Sequence, residues 1–191
     1  MSNGRLEAFS DAVIAIIMTI MVLELTVPHT PDLAALAPLV PKLLSYALSF
    51  VILGIYWNNH HHLLQAGRQV NGRVLWANLH LLFWLSLIPF TTGWVGENNF
   101  ATLPIALYGV VLLLAGFAYN LLSRSLIALH GKDSKLARAV GRDLKGLASL
   151  ALYAAAIPLA FVGAWIAFGI YVLVAVIWLI PDRRIERTLI Q

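Results

Sequence analysis

The sequence predicts an all-α membrane protein: one domain over residues 1–191, built as a bundle of six transmembrane helices with both termini in the cytoplasm. Three observations carry this. The chain is 60% hydrophobic and only 12% charged, with a mean hydropathy of +0.82, more apolar surface than a soluble domain of this size can bury. Its apolar runs recur at lengths near the roughly 20 residues that a bilayer crossing needs. The basic residues between those runs alternate in a way that fixes an orientation.

The first span covers 6–27 and ends before Pro28, Pro31 and Asp32. Residues 33–40 are apolar but short, and Pro38 and Pro41 kink or end them. The second span covers 43–64 and closes on Trp57-Asn58-Asn59-His60-His61-His62. A polar connection with Arg68 leads to the third span, 74–94, and the turn Gly96-Glu97-Asn98-Asn99 separates it from the fourth, 103–122. Residues 123–145 are the longest polar part. The fifth and sixth spans, 147–161 and 164–180, are shorter and divided at Gly163, and Pro181-Asp182 stops the last one.

Of the 13 Lys and Arg residues, all but Lys42 fall on one side of this six-span arrangement. The positive-inside rule makes that side the cytoplasm. Lys132, Lys135, Arg138, Arg142 and Lys145 recur every three or four residues. As a helix they form a basic stripe beside Leu136, Val140 and Leu144, suited to anchoring on lipid headgroups.

Several functions are disfavoured by the residues themselves. There is no cysteine, which excludes disulfides and thiolate metal sites. The basic residues lie in short loops between apolar runs rather than in one nucleic-acid-binding face. Asp11 interrupts the place where a signal peptide would have its apolar core, so the first helix is expected to stay in the mature protein. No nucleophile–base–acid set, phosphate-cradling glycine loop or redox motif is present, so no enzymatic activity and no cofactor are expected.

An acid within a membrane segment is costly unless it finds partners. Ser10 and Asp11 lie one to two turns above the cytoplasmic end of the first span, and Asn58, Asn59 and His60 to His62 reach that depth on the second. Asn78 and His80 do so on the third, and Tyr119 and Asn120 on the fourth. The polar residues therefore gather in one layer, which reads as a hydrogen-bonded clasp between helices. A metal site is disfavoured: helical neighbours point about 100° apart, so His60, His61 and His62 cannot all face one ion.

Further along the first span, Ile16, Ile20 and Leu23 are spaced four and three, so they stack on one face with Thr19 at its edge. Phe9 and Ala12 extend that face below and Val27 above. A stripe of this kind ordinarily packs on a neighbour or on lipid. With Asp11 turned into the clasp it faces elsewhere, and on a symmetry axis shared by several subunits such apolar rings gate a pore by dewetting.

Arg5, Phe9, Ser10 and Asp11 form R-x-x-x-F-S-D, followed by A-x-x-x-I-I-x-T. This resembles the signature of the transmembrane protein 175 family of potassium channels. The resemblance extends through the six spans, to Trp57 and Asn58–His62, and to Asn78 with Pro89-Phe90. The length is similar to the short prokaryotic form with one six-helix unit per chain. The resemblance implies a homotetramer in the cell membrane, surrounded by lipids and binding no nucleic acid, with a central pore lined by the first helix of each subunit. The family lacks the T-V-G-Y-G filter, as does this chain. It implies an apolar constriction at the fifth residue after the motif aspartate, here Ile16, further rings at Ile20 and Leu23, and a threonine layer tied to potassium preference at Thr19. Arg5, Ser10 and Asp11 would be structural, bonded to groups such as His60, His61, His62 and Asn78. The run of histidines leaves open which one is the family's partner.

The leading expectation is thus passive conduction of potassium ions. The alternative is a proton-coupled secondary transporter using Asp11 and the histidines. A transporter is expected to show broken helices around a midplane site and often inverted repeats. The first span holds no glycine or proline between Phe9 and Val27, and no repeat is visible. A purely structural membrane subunit is the third reading.

Overall fold

The computed structural model describes residues 3–67, 69–131, 134, 136–137 and 143–179. Its regular elements are all helices, with no strand among the described residues. Helix α1 spans Asn3–Ile20 and tightens into a 3-10 turn over Met21–Glu24. A second 3-10 stretch, Leu33–Leu39, leads directly into α2, Val40–Ala66. Pro41 sits in the first turn of α2, where its missing N–H is not needed. Pro38 lies inside the 3-10 stretch, which ends one residue after it, whereas Pro41 opens the helix that follows rather than ending an element.

The third apolar run is two helices, α3 (Gly72–Ser86) and α4 (Ile88–Glu97). Asn71 caps α3 by accepting from the Val74 N–H at 3.0 Å. The break at Leu87 follows from Pro89, which has no N–H and whose ring crowds the carbonyl four residues back. Between α4 and α5, Asn99 and Phe100 take positive φ values of 48° and 59°. That backbone is strained for a bulky residue. Burial of the Phe100 ring against Trp165 and Phe168, with centroids 4.7 and 4.8 Å away, holds it there.

Helix α5, Thr102–His130, outruns the expected 103–122. Its later turns carry Ser123, Arg124 and Ser125, which lower the hydropathy, yet Leu122 and Leu126 continue its buried face. Asp143 caps α6 (Leu144–Leu159) by accepting from the Gly146 N–H at 2.8 Å, and α7 follows over Ala164–Leu179. The expected basic stripe falls largely outside the described residues, as do Arg68, Ile180, Pro181 and the C-terminal arginines.

Four stretches are long and apolar enough to cross a membrane: Asn3–Glu24, Leu33–Ala66, Gly72–Glu97 and Thr102–His130. Helices α6 and α7 are apolar but have 16 residues each. At 1.5 Å per residue α6 spans about 24 Å, short of a hydrocarbon core of about 30 Å, while α7 is described only as far as Leu179. Helix α5 is central, packing on α3, α4, α6 and α7. Tyr171 of α7 drives its ring into this core above Gly109 and donates its hydroxyl to the Ile105 carbonyl at 3.1 Å. Helix α1 lies at the edge of the bundle, against α2 and α3.

Candidate pore-lining helix and the polar clasp behind it

Helix α1 has two faces. Leu6, Ser10, Ile14, Ile17 and Met21 are buried, at the three- and four-residue spacing of a helix packed on one side. Arg5, Phe9, Ala12, Ile16, Thr19, Ile20 and Leu23 are exposed on the other. The chain therefore turns the whole Ile16–Ile20–Leu23 stripe outward, with Ile16 56% and Leu23 78% exposed. Thr19 belongs to that face, and its hydroxyl donates to its own helix, 3.0 Å from both the Ala15 and Ile16 carbonyls.

The orientation of α1 is held from behind. His60 Nε2 donates to Asn78 Oδ1 at 2.7 Å, Asn78 Nδ2 donates to Ser10 Oγ at 2.9 Å, and Ser10 Oγ donates to the Leu6 carbonyl at 2.8 Å. All three side chains are fully buried. One directed chain thus links α2, α3 and α1. His60 Nδ1 makes no hydrogen bond among the described residues, but the rest of the chain is paired, and in a low-dielectric interior such pairing fixes helix rotation because any slip orphans further buried polar atoms.

The other expected clasp residues divide. Asp11 lies outside this chain of bonds and accepts from Trp57 Nε1 at 3.0 Å. His61 accepts at Nε2 from the Gln65 amide, 2.9 Å away, and its ring stacks near that of Trp57. Its Nδ1 lies 2.9 Å from Glu7 Oε1, a short polar contact without the alignment of a hydrogen bond. His62 is half-buried, its Nδ1 without a hydrogen-bond partner among the described residues. Arg5 is exposed. Asn3 adds a fastening at the start of α1, donating from Nδ2 to the Leu64 and Gly67 carbonyls at 2.7 Å each.

Sequence reasoning missed Asn3, Glu7 and Gln65 and named Trp57 without a role. A signal existed for three of these. Glu7 and Asp11 are four apart on α1, as Trp57, His61 and Gln65 are on α2, so each set lines one face. Which turn of α2 meets which turn of α1 was the missing information.

A bundle with several membrane-length apolar stretches, whose edge helix turns an apolar stripe away from its own core, defines a multi-pass α-helical membrane protein. Comparison with known proteins narrows the class. Residues 5–89 match the family model described as endosomal/lysosomal potassium channel TMEM175. A potassium channel of Chryseobacterium sp. (strain P1-3) is 52% identical over 189 residues, covering 99% of this chain and 98% of that one. The crystal structure of a lysosomal potassium-selective channel TMEM175 homolog from Chamaesiphon minutus superposes with a TM-score of 0.80 at 26% identity, covering 92% of this chain and 95% of that chain. An endosomal/lysosomal proton channel TMEM175 of Danio rerio is 30% identical over 137 residues, 68% of this chain and 25% of that protein. The chain belongs to the TMEM175 family, the family named by its opening motif.

Proposed function

We propose that the protein is a potassium channel of the bacterial cell membrane that conducts passively through a central pore. Its relative in Chryseobacterium is named a potassium channel, and that in Chamaesiphon minutus a potassium-selective channel. The observation that carries the mechanism is the outward face of α1. Ile16, Ile20 and Leu23 project from the subunit while Ser10, Ile14 and Ile17 lock the opposite face inside it. In a homotetramer of six-span subunits with cytoplasmic termini, four such faces meet on one axis. Ile16 then forms the narrowest ring, Ile20 and Leu23 form further rings, and Thr19 presents oxygen between them. A potassium ion passes down its gradient, impeded where apolar rings disfavour water. Passage of the ion through the pore needs no cofactor and no covalent chemistry.

The test is potassium-driven flux from proteoliposomes containing only this protein, together with the mass of the detergent-solubilised oligomer measured by light scattering. Flux that rises linearly with the gradient and the mass of a tetramer are expected. Absence of flux, or the mass of a monomer or dimer, overturns the reading. Proton permeation is the second reading, since the zebrafish relative is named a proton channel. A reversal potential that follows the pH gradient rather than the potassium gradient would favour it. Flux that saturates and requires a pH gradient would instead favour coupled transport through Asp11 and the histidines.

A further inference from the structure

Glu7 and Asp11 are one helical turn apart on α1, and His61 reaches them from α2. One carboxylate oxygen from each acid and a ring nitrogen of His61 all lie within 4.8 Å of one another. We propose that these three side chains bind a divalent transition-metal cation of the zinc type, fastening α1 to α2 beside the Ser10–Asn78–His60 chain.

The geometry is close to what such an ion needs. Bonds of about 2.0–2.2 Å in a tetrahedral site place ligand atoms about 3.4 Å apart. The three donors, all within 4.8 Å of one another, stand close to that spacing. His61 Nδ1 and Glu7 Oε1 are 2.9 Å apart. That Nδ1 is shielded from solvent and makes no hydrogen bond, and with the ring proton moved to Nε2 its lone pair becomes available to an ion. The Glu7 and His61 side chains keep 20% and 31% of their exposure, which leaves water a route to the fourth position.

The surrounding groups suit the role. Trp57 holds Asp11 through Oδ1 and leaves Oδ2 to ligate. A metal on Nδ1 requires the imidazole proton at Nε2, where Gln65 stands 2.9 Å away. A half-turn of the Gln65 amide presents its oxygen to accept that proton, the outer-shell contact that metal-bound histidines ordinarily make. Two carboxylates and one imidazole favour zinc, cobalt or nickel over magnesium and potassium, which prefer all-oxygen sites. Three consecutive helical histidines cannot all face one ion. This site uses only the middle one and takes its other ligands from another helix.

A consequence for conduction rests on the pore reading above: an ion holding α1 to α2 restrains the helix that carries Ile16, and current falls as the site fills. Binding itself is measured without any current, so either reading can fail alone. Untagged full-length protein in detergent is titrated with zinc chloride by calorimetry in excess magnesium. The expected result is saturable binding of about one Zn2+ per chain, weakened at least tenfold by His61→Gln and by Glu7→Gln and unchanged by His62→Gln. Zn2+ should also raise the melting temperature of the wild type, and raise that of each folded variant at the site much less. No saturable binding to the wild type overturns the proposal. So does equal affinity in both site variants, or a loss in His62→Gln matching that in His61→Gln, which would mark chelation by the histidine run.

Discussion

Ile14 and Ile16 stand two residues apart on α1 and face opposite ways: Ile14 is fully buried in its own chain, and Ile16 is 56% exposed. The same residue type thus serves the core and the outer surface within one helical turn, and only the rotation of α1 decides which does which. If the outer face lines a pore, Ile16→Asn replaces a dewetting ring with a wettable one and leaves the packing around Ile14 untouched. Single-channel conductance should rise several-fold and potassium-over-sodium preference should weaken in planar-bilayer recordings. Unchanged conductance and selectivity would remove Ile16 from the ion path.

Thr19 offers a second test on the same face. Its hydroxyl proton is given to the Ala15 and Ile16 carbonyls, so its oxygen lone pairs are what remain for a passing cation. Thr19→Val keeps the shape and removes the oxygen, whereas Thr19→Ala removes both. Both should move the reversal potential under potassium/sodium gradients toward zero. An effect of Ala alone would mean that the residue acts by filling space.

The clasp predicts a coupling in stability. Asn78→Ala orphans the buried His60 Nε2–H, at a cost of about 1–3 kcal/mol. Ser10→Ala removes the acceptor of Asn78 Nδ2. Both changes break the Ser10–Asn78 bond, so the double variant should lose less than the sum of the single losses. Thermal melts of detergent-solubilised protein read this directly. Strict additivity would mean that the two side chains do not act as one unit.

Much of this arrangement is legible in the sequence because it rests on periodicity. The outer stripe of α1 follows from the spacing of Ile16, Ile20 and Leu23, and the polar layer follows from equal depths in adjacent spans. What periodicity cannot supply is which turn of one helix meets which turn of the next. The run His60-His61-His62 left the partner open. Packing puts His60 on Asn78 and His61 beside Glu7, one residue and about 100° apart. Asp11 was assigned to the same network, but the turn of α2 opposite it carries Trp57. Two boundaries were hidden for a different reason. Pro89 splits the third run while both halves remain apolar, and Ser123 and Ser125 lower the hydropathy of α5 while still being buried.

The contact between Gly109 and Tyr171 gives the sharpest packing prediction. A Cβ at position 109 would land on the Tyr171 hydroxyl and would lie 2.9 Å from its Cζ and 3.2 Å from Ile157 Cγ1. Tyr171 cannot retreat easily, since it is fully buried, donates to the Ile105 carbonyl at 3.1 Å and packs against the rings of Tyr108 and Tyr153. Gly109→Ala should therefore destabilise by about 1–3 kcal/mol, as overpacking in a filled core does. Two other helical glycines serve as references. At Gly116 the nearest atom is the flexible tip of Leu150 at 3.1 Å, and at Gly54 nothing lies within 4 Å. Gly116→Ala should cost less than Gly109→Ala, and Gly54→Ala should be neutral or stabilising by up to about 1 kcal/mol through helix propensity. The three variants, melted side by side, should rank 109 below 116 below 54. Equal melting temperatures for Gly109→Ala and Gly54→Ala would mean that α7 does not seat Tyr171 against α5 in the way described.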